Sequence, residues 1–271
     1  MFKAWQKKYP LPFQFTLAVV LFGLALFIST LIDGPAFKKY FPFVPVILLV
    51  LASWWLYKRE GKSLNEIGLN LKLSNVSFLF LGLALSALTF LVANLVRSAY
   101  TGETLELSST IDYNSIITTL YYILPTVAVE ELLFRGYLFK KTISVSNVVV
   151  ANIIFAILFT LIHIVDDTVL SRPGMLVMLI ISIPVGHLLF ATAMLRSGTL
   201  YFPIGLHLGN NWASRHLISD QADGHSIFAV LDRVDFDTWP YFIGFLLLYN
   251  GIFLLLALAI WKWPLFRVKK P

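Results

Sequence analysis

The chain contains no cysteine among its 271 residues. Disulfides, thiol nucleophiles and thiolate metal sites are therefore excluded. Charge is also scarce: Asp, Glu, Lys and Arg make up 13%, about half the usual share for a soluble domain. The net charge of +6 is not gathered into one basic patch, so no nucleic-acid partner is expected. No H-E-x-x-H, G-x-S-G, G-x-S-x-G or G-x-G-D motif occurs, which disfavours zincin, rhomboid-type serine and presenilin-type aspartyl chemistry. No internal repeat is visible, and that weakens a transporter reading.

What fills the chain is apolar. Hydrophobic residues make up 58% and the mean hydropathy is +0.78. Apolar runs near the length needed to cross a bilayer predict an all-α, polytopic membrane protein. It reads as a single transmembrane domain over 1–271, a bundle of about eight helices. The spans are placed near 12–32, 41–57, 76–97, 114–138, 146–165, 174–195, 199–214 and 239–261. The seventh is short, carries Pro203, Gly205 and Gly209, and reads as a half-buried or broken helix. The first run is too long for a signal peptide and lacks a small-x-small cleavage site, so it reads as a retained helix.

Charges between the runs test this order. With the N-terminus inside, Lys3, Lys7, Lys8, Lys58, Arg59, Lys62, Lys72, Lys140, Lys141, Arg196, Lys262, Arg267, Lys269 and Lys270 fall inside. Lys38, Lys39, Arg97, Arg172, Arg215 and Arg233 fall outside, together with ten acidic residues from Glu103 to Asp237. Both termini are thus expected to be cytoplasmic. Trp5, Trp54, Trp55, Trp239, Trp261 and Trp263 sit at run ends, as an aromatic belt does. Ser63-Leu-Asn-Glu66 reads as a capping box opening a short helix on the inner surface. Residues 215–238 read as a long, acidic outer loop with solvated His216 and His225.

Ionisable residues inside apolar spans are costly and usually functional. Here they fall into three motifs. In Glu130-Glu131-Leu-Leu-Phe-Arg135-Gly136, Glu131 and Arg135 are i and i+4, the order preferred for a helical ion pair. Glu130 lies about 100° round the helix and points elsewhere. One reading is a neutralised pair beside a lone carboxylate; the other is a purely structural ion-pair knot. In Phe159-Thr-Leu-Ile-His163 the ring and the imidazole share a face, so Phe159 can orient His163; alone, such a histidine is more often helix–helix glue. In His207-Leu-Gly-Asn-Asn211 two neutral side chains share a face and can donate to one oxygen, as an oxyanion hole requires; the plainer alternative is polar glue. His187 has no partner at helical spacing and reads as structural. Asn152 and Asn250 read as interhelical hydrogen-bonders.

E-E-x-x-x-R-G, F-x-x-x-H and H-x-x-x-N in that order on successive helices resemble the CAAX protease and bacteriocin-processing (Abi) family of intramembrane endopeptidases. The resemblance covers about 113–214, where Leu200 to Leu206 resembles the usual lead-in to His207; this is the expected catalytic core. It implies that Glu130 and His163 activate a water while His207 and Asn211 hold the oxyanion. Glu131, Arg135 and Phe159 are then supporting residues. It further implies a membrane-associated peptide or protein substrate, prenylated or otherwise hydrophobic, in a bacterial plasma membrane surrounded by lipid.

The family has been described both as metal-dependent and as glutamate-dependent. Glu130, His163 and His207 could ligate zinc and leave one position for water. Asn211, one turn from His207, makes better sense as a hydrogen-bond donor, so the expectation is no cofactor. Two rival functions stand beside the peptidase: a non-catalytic scaffold or bacteriocin-immunity protein of the same fold, and a proton-coupled transporter with Glu130 and His163 as relay. One difficulty is depth. Glu130 lies toward the inner half of its expected span and His163 toward the outer end of the next.

Overall fold

The computed structural model describes residues 8–32, 34–219 and 225–264. The terminal charges invoked above (Lys3, Lys7, Arg267, Lys269 and Lys270), Trp5, and Asp220 and Asp223 in the long loop lie outside the described residues. Helices fall on every expected apolar stretch: α1 Pro10–Ile32, α2 Pro35–Tyr40, α3 Val44–Arg59, α4 Leu73–Thr101, α5 Tyr113–Arg135, α6 Tyr137–Val145, α7 Val148–Ile164, α8 Asp167–Leu170, α9 Pro173–Ser197, α10 Tyr201–Trp212 and α11 Trp239–Lys262. Five segments are long and apolar enough to cross a membrane: Pro10–Ile32, Leu73–Thr101, Tyr113–Val145, Pro173–Ser197 and Trp239–Lys262. The others are shorter. At 1.5 Å per residue, the 12 residues of α10 cover about 18 Å, well short of a hydrocarbon core of about 30 Å.

Polarity is distributed as lipid demands. Leu31, Ile157 and Leu247 are exposed on outer helix faces, whereas Ser53, Ser86, Glu131, Arg135, His187, His207 and Asn250 are buried. Asn250 on α11 donates to Ser182 Oγ on α9 at 3.1 Å, as expected of an interhelical residue. Asn152 instead bonds the Val148 carbonyl of its own helix at 2.8 Å. A residue four positions back on the same face is the nearer acceptor.

Close packing of α10 on α4 sets the position of the third motif. A Cβ at Gly205 or Gly209 would strike the carbonyls of Leu79 and Leu83, and one at Gly82 would strike the backbone of α10. Small residues let two backbones approach in this way. The start of α10 is pinned as well: Leu200 N–H donates to the Ile67 carbonyl at 2.9 Å and Thr199 Oγ1 to the Gly68 carbonyl at 3.0 Å. Gly68 (φ 62°) ends a 3₁₀ turn, Leu64–Ile67, that Ser63 caps through Asn65 N–H. This is the short element expected after the second apolar stretch, although the cap engages Asn65 rather than Glu66.

Pattern reading missed a small sheet. Strands β1 Thr104–Leu107, β2 Ile218–Ser219 and β3 Phe228–Leu231 form the order β1-β3-β2. β1 pairs antiparallel with β3, Thr104 opposite Leu231, and β2 runs parallel to β3. A π-helical turn, Ala213–Leu217, leads from α10 into β2. His216 is accordingly buried, with Nδ1 2.7 Å from the His225 carbonyl, so it is not the solvated loop residue expected. Strands of two to four residues are too short to show an alternation that would reveal them.

Candidate active site

Glu130, Glu131 and Arg135 lie on the last two turns of α5. That helix ends where Gly136 adopts φ −80°, ψ −134°, a place where a Cβ would strike the Leu132 carbonyl. α6 then carries the helical run on to Val145, and the chain reverses at Ser146 and Asn147. Measured from that reversal, Glu130 and His163 stand about equally far back along their helices. At 1.5 Å per residue both are about 24 Å from the turn. The depth difficulty disappears, because it came from ending the fourth span at residue 138.

The three motifs converge. Glu130 Oε2 lies 3.7 Å from His207 Nε2 and 4.0 Å from His163 Nε2. On the far side of His207, Nδ1 lies 2.8 Å from Glu131 Oε1, the same oxygen that accepts from Arg135 Nη1 at 3.0 Å. Glu131 and Arg135 are fully buried, and the side chain of His207 is 7% exposed. Glu130 and His163 are more open, at 21% and 28%. The site is thus graded, with a sealed ionic support on one side and an accessible acid and imidazole on the other.

Aromatic rings fix these groups. Phe159 meets His163 edge-on at 4.6 Å, and its carbonyl lies 2.7 Å from His163 Nδ1. The Arg135 guanidinium carbon sits 4.2 Å above the Phe159 ring and 5.2 Å from that of Phe190. Phe190 on α9 stacks on His207 at 4.8 Å. Sequence reading overlooked Phe190, since it lies 17 positions before His207 with nothing in the spacing to link them. His187 is buried between Phe139 and Phe159, and neither of its ring nitrogens has a hydrogen-bond partner among the described residues. Asn211 is half-buried, one turn after His207 in α10, with its amide making no hydrogen bond among the described residues.

Hydrogen bonding assigns the ring tautomers. A carbonyl only accepts, so His163 carries its proton on Nδ1, and an ionised Glu131 likewise places a proton on His207 Nδ1. In their neutral forms both rings therefore turn an unprotonated Nε2 toward Glu130. As zinc ligands, three such atoms would stand about 3.3 Å apart around an ion bound at about 2.0–2.1 Å. The two separations from Glu130, 3.7 and 4.0 Å, are wider, and among the described residues no three His, Cys, Asp or Glu side chains are grouped to hold a metal.

Apolar helices packed around a partly exposed carboxylate and two imidazoles define the class, a polytopic membrane protein with a polar site among its helices. Residues 112–213 match the family model described as type II CAAX prenyl endopeptidase Rce1-like, the family that the three motifs resemble. That family is one of membrane proteases acting on membrane-associated peptides or proteins. No curated protein and no solved structure matches the chain.

Proposed function

We propose that the protein is an intramembrane endopeptidase that hydrolyses peptide bonds of membrane-associated substrates with a water activated by Glu130 and His163. The observation that carries this reading is the placement of Glu130 Oε2 between the Nε2 atoms of His163 and His207, 4.0 and 3.7 Å away. Those gaps are too long for direct hydrogen bonds and suit a water lying against all three groups.

Charge balance assigns the protons. Arg135 and Glu131 cancel, which leaves the Glu130 carboxylate to be compensated within the bundle. An imidazolium at His207, donating from Nδ1 to Glu131 and from Nε2 toward the substrate, makes the site neutral. Water then donates one proton toward Glu130 and the other toward His163 Nε2. As its oxygen attacks the scissile carbonyl carbon, a C–O bond forms and the proton passes to Glu130. The carbonyl oxygen gains negative charge and is held by His207 Nε2–H and the Asn211 amide, aimed at that charge in a water-poor setting. Glu130 next gives its proton to the departing nitrogen, the C–N bond breaks, and a carboxylic acid and an amine leave. No step requires a metal.

The test is cleavage of a fluorogenic prenylated peptide ending in Cys-aliphatic-aliphatic-X by purified protein in nanodiscs, with and without chelator. Cleavage that survives chelator and is lost in Glu130→Gln supports the proposal. Full activity in Glu130→Gln or His163→Ala contradicts it. Loss of activity to chelator, restored by zinc, replaces it with a metal mechanism. Bacteriocin immunity that persists in Glu130→Gln cells would favour the scaffold reading.

A further inference from the structure

The short helix α6 links the two helices that carry Glu130 and His163. Neither of its ends is fixed by helix continuity. At Gly136 the backbone leaves helical geometry (φ −80°, ψ −134°), and at Ser146 and Asn147 the chain reverses before α7 begins. The position of α6 therefore rests on its side chains. On one side Phe139 meets Phe155 of α7 edge-on at 5.5 Å and His187 of α9 at 6.0 Å.

A second set of contacts is polar and lies outside the three motifs. Glu60, directly after α3, accepts from Tyr137 Oη at 2.6 Å and from Lys141 Nζ at 2.8 Å, both through Oε1. Tyr137 and Lys141 are i and i+4 on α6, so one carboxylate grips both ends of its first turn. Tyr57 of α3 meets the Tyr137 ring edge-on at 5.1 Å. The Glu60 and Lys141 side chains are only 15% and 14% exposed, so solvent screens them less than a surface pair. Burial alone would raise the Glu60 carboxyl, yet its hydrogen bonds to Lys141 and Tyr137 hold it below the usual carboxylate range. It stays ionised at neutral pH, and the hydrolysis proposed above makes no use of it.

We propose that Glu60 is a positioning residue for the hydrolysis. By holding Tyr137 and Lys141 it sets where α6 lies, and through α6 the register between Glu130 on α5 and His163 on α7, whose facing atoms are 4.0 Å apart. This role rests on the peptidase reading of the site. The same path reaches Arg135, two residues before Tyr137, and with it the Glu131 oxygen that also holds His207. A displacement of about 1 Å between acid and imidazole is enough to spoil the alignment of a water held by both. Contacts to the substrate itself are untouched, so the effect falls on kcat and not on KM.

Full-length variants in nanodiscs decide it, through cleavage of the prenylated peptide, thermal melts and amide hydrogen exchange on the same samples. Glu60→Ala should lower kcat about tenfold with KM unchanged. Tyr137→Phe combined with Lys141→Met should match that loss, and adding Glu60→Ala to the pair should cost nothing further, because all three remove one contact. Glu60→Gln still accepts from Tyr137 Oη and should restore part of the rate. Exchange needs no substrate: in Glu60→Ala the amides of α6 should exchange faster than in the unsubstituted protein. An unchanged kcat in Glu60→Ala overturns the proposal, as do additive losses in the combined variant or unchanged exchange across α6. A rate that merely follows the melting temperature through the series marks a structural brace and overturns it too. Absence of cleavage by the unsubstituted protein is a different failure, since it removes the peptidase reading and this role together.

Discussion

Two buried arginine–carboxylate pairs in this molecule look alike in outline and differ in how fully they are satisfied. In Arg97–Glu103 the carboxylate takes both Nε and Nη2 of the arginine and, in addition, the Val234 N–H at 2.9 Å. This pair ties the end of α4 to the segment that enters α11. Burial alone would raise the Glu103 carboxyl, yet those hydrogen bonds and the Arg97 charge hold it down at about 2. In Arg135–Glu131 a single Nη1 bond serves the pair. Nε and Nη2 of Arg135 and Oε2 of Glu131 have no hydrogen-bond partner among the described residues, and the bonded Glu131 oxygen also holds His207. A saturated pair works as a clamp. The undersaturated one transmits its charge to an imidazole, as support for a reaction centre would.

That contrast can be broken or sharpened by substitution. The largest effect is expected beside the undersaturated pair rather than in it: Glu130→Gln should lower kcat by about three to four powers of ten, with the thermal midpoint kept. Arg135→Met leaves Glu131 charged and fully buried, and should cost about 3–5 kcal/mol of stability, read as a lowered melting temperature in nanodiscs. Asn211→Ala should reduce kcat by about 10²–10³, or about 2.7–4 kcal/mol, through loss of an oxyanion donor, with little change in KM. Arg97→Gln should cost about 1.5–3 kcal/mol of stability and leave the rate constant of the folded enzyme unchanged.

The clamp should also show in the pH dependence of folding. Because the Glu103 carboxyl is lower in the folded state than in the unfolded chain, its stabilisation is complete above the ordinary carboxylate range. It is lost as pH falls from about 4.5 toward about 2. Arg97→Gln should flatten that stretch of the stability–pH curve.

Much of this was legible in the residues, for reasons that have a physical basis. Apolar runs announce helices because every backbone group in lipid must be satisfied within the segment. Glu131 and Arg135 could be paired from spacing alone, since i and i+4 neighbours share a helix face. The Glu131–His207 contact could not: the two residues lie 76 positions apart and meet only because the glycines of α10 let it press against α4 while α10 also packs on α5. Phe190 was hidden for the same reason. The count of eight spans is not confirmed: five segments among the described residues have the length and apolarity to cross, and α10, already read from Pro203, Gly205 and Gly209 as half-buried or broken, is a short helix of 12 residues. β1, β2 and β3 carry too few residues for periodicity to register.

The most direct measurement compares two neighbours in the chain, Glu130→Gln and Glu131→Gln, purified in nanodiscs and assayed together for peptide cleavage and thermal midpoint. If Glu130 is the reacting acid and Glu131 its buried support, the first variant is inactive and melts like the unsubstituted protein, whereas the second melts at a clearly lower temperature. An active Glu130→Gln variant, or two variants destabilised to the same degree, would contradict that division of roles.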